Sequence, residues 1–114
     1  MIFGHGQLAA ARLLIPTVGL SLLASATAAN NQQGLQVYND ACVACHGSGI
    51  GGATRLGDLD AWRSRVAQGR DILVDHVING YTGNAGYMPP KGGRVDLADE
   101  DVLAAMAYLL DESS

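Results

Sequence analysis

Apolar and polar positions change their period several times along this chain. From Leu13 to Leu23 the residues are almost continuously apolar (LLIPTVGLSLL), and the small-residue tract ASATAA follows. Leu35, Tyr38 and Cys42 then recur at i, i+3 and i+7, which predicts a helix over Gln32–Cys42. Gly47–Gly57 reads as a loop. Asp58 can cap a helix over Leu59–Ala67, where Trp62 and Val66 lie four apart and Gly69 stops the run. Asp71–Asn79 carries Ile72, Val77 and Ile78 and ends at Gly80. Val102, Met106 and Leu109 share one face of a last helix from about Asp99 to Leu110. No segment predicts a convincing strand, so the expected class is all-α. The stretch Tyr81–Asp96, with four Gly and two Pro, has no regular period. A structureless segment that long fits a compact domain only if it has a job, such as wrapping a bulky ligand.

The apolar stretch near the start belongs to a leader rather than to the fold. His5 and Arg12 precede it, no acidic residue occurs before Asp40, and Ala26-Thr27-Ala28 supplies an A-x-A cleavage site. Basic flank, apolar stretch and small residues in that order describe an export signal, cleaved after Ala28 or Ala29. The rival is an uncleaved membrane anchor, but an apolar core broken by Pro16 is short against the ~20 residues of a spanning helix. The expected organisation is a signal over residues 1–29 and one domain over 30–114, exported to the periplasm and touching membrane only if the signal is retained.

Composition sharpens this. The chain has 114 residues, 48% hydrophobic and 16% charged, and a formal net charge of −4. Without residues 1–29 it keeps 85 residues, six basic and eleven acidic, for a net charge of −5. Scattered basic residues on an acidic chain do not make a nucleic-acid site. A domain this small is marginal without a staple, and two Cys allow at most one disulfide. A large bound cofactor would supply the missing stability.

The two cysteines indicate which one. They occur as Cys42-Val43-Ala44-Cys45-His46. On a helical turn, i, i+3 and i+4 share a face, so two thiols and an imidazole point the same way. Covalent haem attachment needs this set: two sulfurs to add to the two vinyl groups and a His for the iron. A redox C-x-x-C would want a βαβ context, a zinc site needs four ligands, and a plain disulfide ignores His46. The glycine run Gly47-Ser48-Gly49-Ile50-Gly51-Gly52 matches a dinucleotide fingerprint, which has meaning only between a strand and a helix. Its better use is to let backbone approach a bulky ligand closely. No nucleophile–base set stands out, and no enzymatic activity is expected.

A second iron ligand has three candidates: Met88, Met106 and His76. Met106 falls on the apolar face of the last helix and reads as core. His76 reads as a surface or partly buried residue of its helix. Met88 lies in Gly86-Tyr87-Met88-Pro89-Pro90, where no periodicity explains an apolar residue and Pro89 holds Met88 extended. Met88 is therefore the expected sixth ligand. His/Met ligation raises the potential and closes the iron.

Taken together, VYNDACVACHGSGIGGATRLGD (37–58), AWRSRVAQGRDILVDHVING (61–80) and MPPKGGRVDLADEDVLAAMAYLLD (88–111) resemble the class I c-type cytochromes, more narrowly the short bacterial cytochrome c-five group. The resemblance covers the whole mature chain. It implies a small helical domain wrapped around one covalently bound haem c, with Cys42 and Cys45 on the haem, His46 and Met88 on a low-spin iron, and terminal helices crossing near it. It also implies a one-electron carrier, monomer or weak dimer, that meets donor and acceptor proteins transiently; a quinol–cytochrome c reductase upstream and a terminal oxidase or reductase downstream are what it suggests. The group's second Cys pair is missing, and Arg94-Val95-Asp96 stands in its place. Ala98 stands where a Ser or Thr cap is usual before Asp99-Glu100-Asp101.

Two other function classes are carried. One is a ligand-binding or sensory haem protein with a displaceable sixth ligand. The other is the electron-entry subunit of a larger periplasmic redox enzyme. Arg55, Lys91 and Arg94 are expected either as solvated residues or as a basic rim that would steer an acidic partner. Trp62 is expected in the core or on a haem propionate. Tyr81 and Tyr87 are expected against the macrocycle or on its propionates.

Overall fold

Five helices carry the described part of the chain in the computed structural model: α1 (Ser21–Ala41), α2 (Val43–His46), α3 (Leu59–Val66), α4 (Arg70–Asn79) and α5 (Asp99–Asp111). The structure describes residues 4, 9–15 and 21–114; His5 and residues 16–20 of the leader lie outside the described residues. Among the described residues no helix is long and apolar enough to cross a membrane. The described residues are all-α apart from one small hairpin, β1 (Tyr81–Gly83) and β2 (Gly86–Met88), and two short 3₁₀ turns, Ile50–Gly52 and Pro90–Gly93.

The periodic segments become helices close to their expected limits. Asp58 caps α3, its Oδ1 accepting the Ala61 N–H at 3.1 Å. Ala98 is the cap residue of α5 and offers no side-chain bond to it, leaving three acidic residues in the first turn to meet the helix dipole. The first helix starts at Ser21, eleven residues before its expected start, because the Ala-rich leader tail is itself a good helix former. It stops at Ala41. Cys42, at φ −118° and ψ −31°, turns the chain into α2.

The expectation of no strand is corrected by the hairpin, in which Tyr81 pairs with Met88, Thr82 with Tyr87 and Gly83 with Gly86. Three residues a strand leave too few positions for alternation to register in the sequence. Pro89 follows at φ −68° and ψ 155°, the extended backbone that Pro90 demands of it.

Packing between α1 and α5 organises the domain. Gly34 makes the crossing close: a Cβ there would be driven into the Ala104 carbonyl. Tyr38 and Tyr108 meet beside it, ring centroids 5.5 Å apart at 52°, and the Gln33 amide donates to Asp101 at 2.6 Å. The core joins Tyr38, Trp62, Ala105 and Leu109, with Val102 and Met106 also buried on α5. Among the described residues no large side chain is wholly buried. The interior is a thin shell of side chains around a space.

Candidate functional site

That space is a cavity of about 700 Å³, within the range of small-molecule and cofactor sites. Cys42, Cys45 and His46 all line it, and so does Met88. The wall that holds the first three is built within one turn: the His46 N–H donates to the Cys42 carbonyl at 2.9 Å, putting the Cys42, Cys45 and His46 side chains at helical spacing. Cys42 is half-buried and Cys45 exposed, and both are free thiols. Burial, helped by Cys45 beside it, pushes the Cys42 thiol up to about 11. At neutral pH it is a protonated S–H.

The imidazole of His46 is oriented from outside the motif. Its Nδ1 lies 2.7 Å from the Thr54 carbonyl oxygen. A carbonyl only accepts, so Nδ1 carries the proton and Nε2 keeps the lone pair. A His held this way can serve as a metal ligand with its partner already in place. Thr54 is itself buried, and the Leu56 N–H returns to the His46 carbonyl at 2.7 Å. Spacing in the sequence gives no hint of the Thr54 contact, because it depends on how the glycine loop folds back.

Trp62 stands close by, its ring centroid 6.1 Å from that of His46. The indole N–H donates to the Arg55 carbonyl at 2.9 Å, and the side chain is 9% exposed. Of its two expected roles the core one holds, and its only donor is already engaged.

The other wall comes from the two aperiodic segments. A Cβ at Gly52 would run into the Ala85 carbonyl, and one at Gly86 into the Gly51 carbonyl. Backbone therefore packs on backbone between the glycine loop and the hairpin turn. The close approach expected of these glycines is made to the hairpin as well as to the cavity they line. Met106 and His76 reach the cavity too. Met106 is buried on α5 as part of the core, and the His76 ring stacks on Tyr81, centroids 3.9 Å apart at 20°. Tyr87 also lines the cavity but stands 64% exposed.

Two of the three expected rim cations are tied down locally. Lys91 turns inward, its side chain 16% exposed and its Nζ 2.7 Å from an Asp99 oxygen; the same ammonium donates to the Leu97 carbonyl at 2.7 Å. Arg94 is forked onto Asp96 through Nε at 2.9 Å and Nη2 at 2.8 Å, which holds that carboxyl below its usual range. Residues 47–54 and 79–90, which meet at the cavity, contain no Asp, Glu, Lys or Arg. Short-range pairs consume Lys91 and Arg94, whereas Arg55 stays exposed and Arg65 lines the cavity, its Nη1 donating to the Ala61 carbonyl.

Two thiols, a neutral imidazole with a free Nε2 and a thioether around one mostly apolar space suit an iron porphyrin. The thin core fits the same group, since a macrocycle would complete an interior that side chains leave open.

The protein-family model for cytochrome C oxidase, cbb3-type, subunit III matches residues 29–109. The chain is 43% identical over 98 residues to cytochrome c-555 of Chlorobaculum tepidum, covering 84% of this chain and 91% of that protein. To cytochrome c5 of Azotobacter vinelandii it is 39% identical over 70 residues, covering 60% and 80%. Among solved structures, it is similar to a chain in an electron transfer complex of nitrite reductase with cytochrome c, at a TM-score of 0.63 and 40% identity, covering 72% of this chain and 95% of that one.

Proposed function

The chain belongs to the class I c-type cytochromes, which carry one covalently attached haem c, and from that premise we propose that it is an exported one-electron carrier with His46 and Met88 as axial iron ligands. Cys42 and Cys45 hold the haem through two thioether links. Residues 1–29 are the cleaved export signal and 30–114 the haem domain, working in the periplasm; the family match beginning at residue 29 supports that boundary. The haem supplies the one-electron couple when bound. The chain's own residues supply the rest.

The observation that carries this reading is the bond from His46 Nδ1–H to the Thr54 carbonyl, made in a cavity that Cys42, Cys45 and Met88 share. Locking the tautomer presents Nε2 as a ligand without rearrangement, and a thioether in the same cavity favours a closed, low-spin iron. A closed iron exchanges electrons without binding substrate, so the role is carriage rather than catalysis.

Transient redox proteins are the partners, and the cavity mouth framed by the two uncharged segments is the docking face. Such encounters bury little surface, below about 1,200 Å². With Lys91 and Arg94 already paired, docking relies on Ile50, Ala85 and Tyr87 with Arg55 and Arg65 as the remaining cations near the mouth, so its rate should fall only modestly with salt. The solved electron transfer complex of nitrite reductase with cytochrome c supports a redox enzyme as one partner class.

The test is the absorption spectrum of the exported protein, oxidised and reduced, with acid extraction of the haem. Haem that survives extraction, with the weak far-red band of a Met–ferric iron bond, is the expected result. Met88→Ala should keep the haem attached, turn the iron high-spin and admit carbon monoxide. An unchanged Met88→Ala spectrum would remove Met88 as the ligand, and absence of haem would overturn the whole reading.

A further inference from the structure

A hairpin with three residues a strand is marginal by itself, yet it carries Met88 at its end. Tyr81 is the register partner of Met88, so the two side chains leave the same face about 4.5–5.5 Å apart at Cβ. The Tyr81 ring lies back along its own strand over Gly83, where a Cβ would come 2.6 Å from Cε1 and 2.7 Å from the hydroxyl oxygen. The same ring stacks on His76 of α4. Between them Gly80, at φ +84°, brings the end of α4 so near the methionine segment that a Cβ would lie 3.0 Å from the Met88 carbonyl oxygen. His76, Tyr81 and Met88 all line the cavity.

We propose that the His76–Tyr81 stack is a positioning clamp that ties the strand of Met88 to helix α4 and keeps its thioether on the iron against competing ligands. This rests on the reading of Met88 as the sixth ligand. An outside ligand binds the iron only in the fraction of molecules whose thioether has left, so its apparent affinity rises in proportion to that fraction. Loosening the strand raises the fraction. His76 thereby has a role at this site without binding the metal, and Tyr81 contributes its ring rather than its hydroxyl.

The experiment titrates the ferric full-length holoprotein with imidazole while following the far-red band. His76→Ala should weaken the band and bind imidazole about tenfold more tightly. His76→Phe should restore both, because it returns a stacking ring, and Tyr81→Phe should match the parent. Met88→Ala should bind imidazole tightest of all, and adding His76→Ala to it should change nothing further, since the clamp then has no ligand to hold. Wild-type imidazole affinity in His76→Ala, or no rescue by His76→Phe, overturns the clamp while leaving Met88 as ligand. A band that survives Met88→Ala overturns the ligand reading and the clamp with it. Should His76→Ala fail to fold, His76→Gln removes the stack with less loss of volume and gives the same readout.

Discussion

The wall bearing Cys42, Cys45 and His46 is assembled within five consecutive residues, whereas the wall bearing Met88 depends on segments more than thirty residues apart in sequence. The first needs only a helical turn and one carbonyl to orient its imidazole. The second needs a hairpin, a glycine loop packed against its turn and an aromatic stack onto α4. Local hydrogen bonds make the first wall stiff. The second is an assembly of small non-local contacts, so it is where single substitutions should tune the site rather than abolish it.

The largest effect belongs to the first wall. Replacing both Cys42 and Cys45 with Ala should leave no haem that survives acid extraction, and any acid-stable haem in that variant would contradict their assignment. On the second wall, Gly52→Ala or Gly86→Ala forces a Cβ into opposing backbone. Each should weaken the far-red band and lower stability by about 1–3 kcal/mol from backbone strain alone, with the overlap adding to it. Gly51→Ala is the control, since a Cβ there meets open space at φ +64° and meets only the strain, about 1–2 kcal/mol. Equal losses at Gly51 and Gly52 would show that the loop does not press on the hairpin. Trp62→Phe sharpens the comparison from the first side. It removes one of two donors to the Arg55 carbonyl, which keeps the Asp58 N–H at 3.2 Å; the loss should cost about 0.5–1.5 kcal/mol and leave the far-red band alone, and a change in that band would mean that Trp62 reaches both walls.

The smallest expected effect lies outside both walls. Ala98→Ser gives α5 the cap it lacks and should add about 0.5–2 kcal/mol. Calorimetry should read this as a higher melting temperature with an unchanged visible spectrum, and an unchanged midpoint would mean that the acidic first turn already satisfies the helix end.

What was legible in the sequence divides along the same line. The turn that gathers Cys42, Cys45 and His46, the Asp58 cap, the face of Val102, Met106 and Leu109, and the extended setting of Met88 are local properties, and each appears where its spacing or its proline implied. The hairpin was missed because its pattern is too short to register and its stability comes from Gly51, Gly52 and His76, none of which announces that role. The choice between a basic rim and solvated cations stayed open for a related reason: a list of cations does not say which carboxylates fold against them, as Asp99 and Asp96 fold against Lys91 and Arg94 here. Thr54 was missed because it contributes a backbone carbonyl, which every residue possesses.

Lys91 has one more consequence. It is the only lysine in the chain, held at φ +54° with its ammonium engaged by Leu97 and Asp99. The α-amino group is therefore the one amine free to react. Under mild acylating conditions a single dye or surface tether should attach at the amino terminus that cleavage leaves at residue 29 or 30, within the span of α1 and outside the two uncharged segments that frame the cavity. The protein could then be oriented on an electrode with that face outward and no engineered residue.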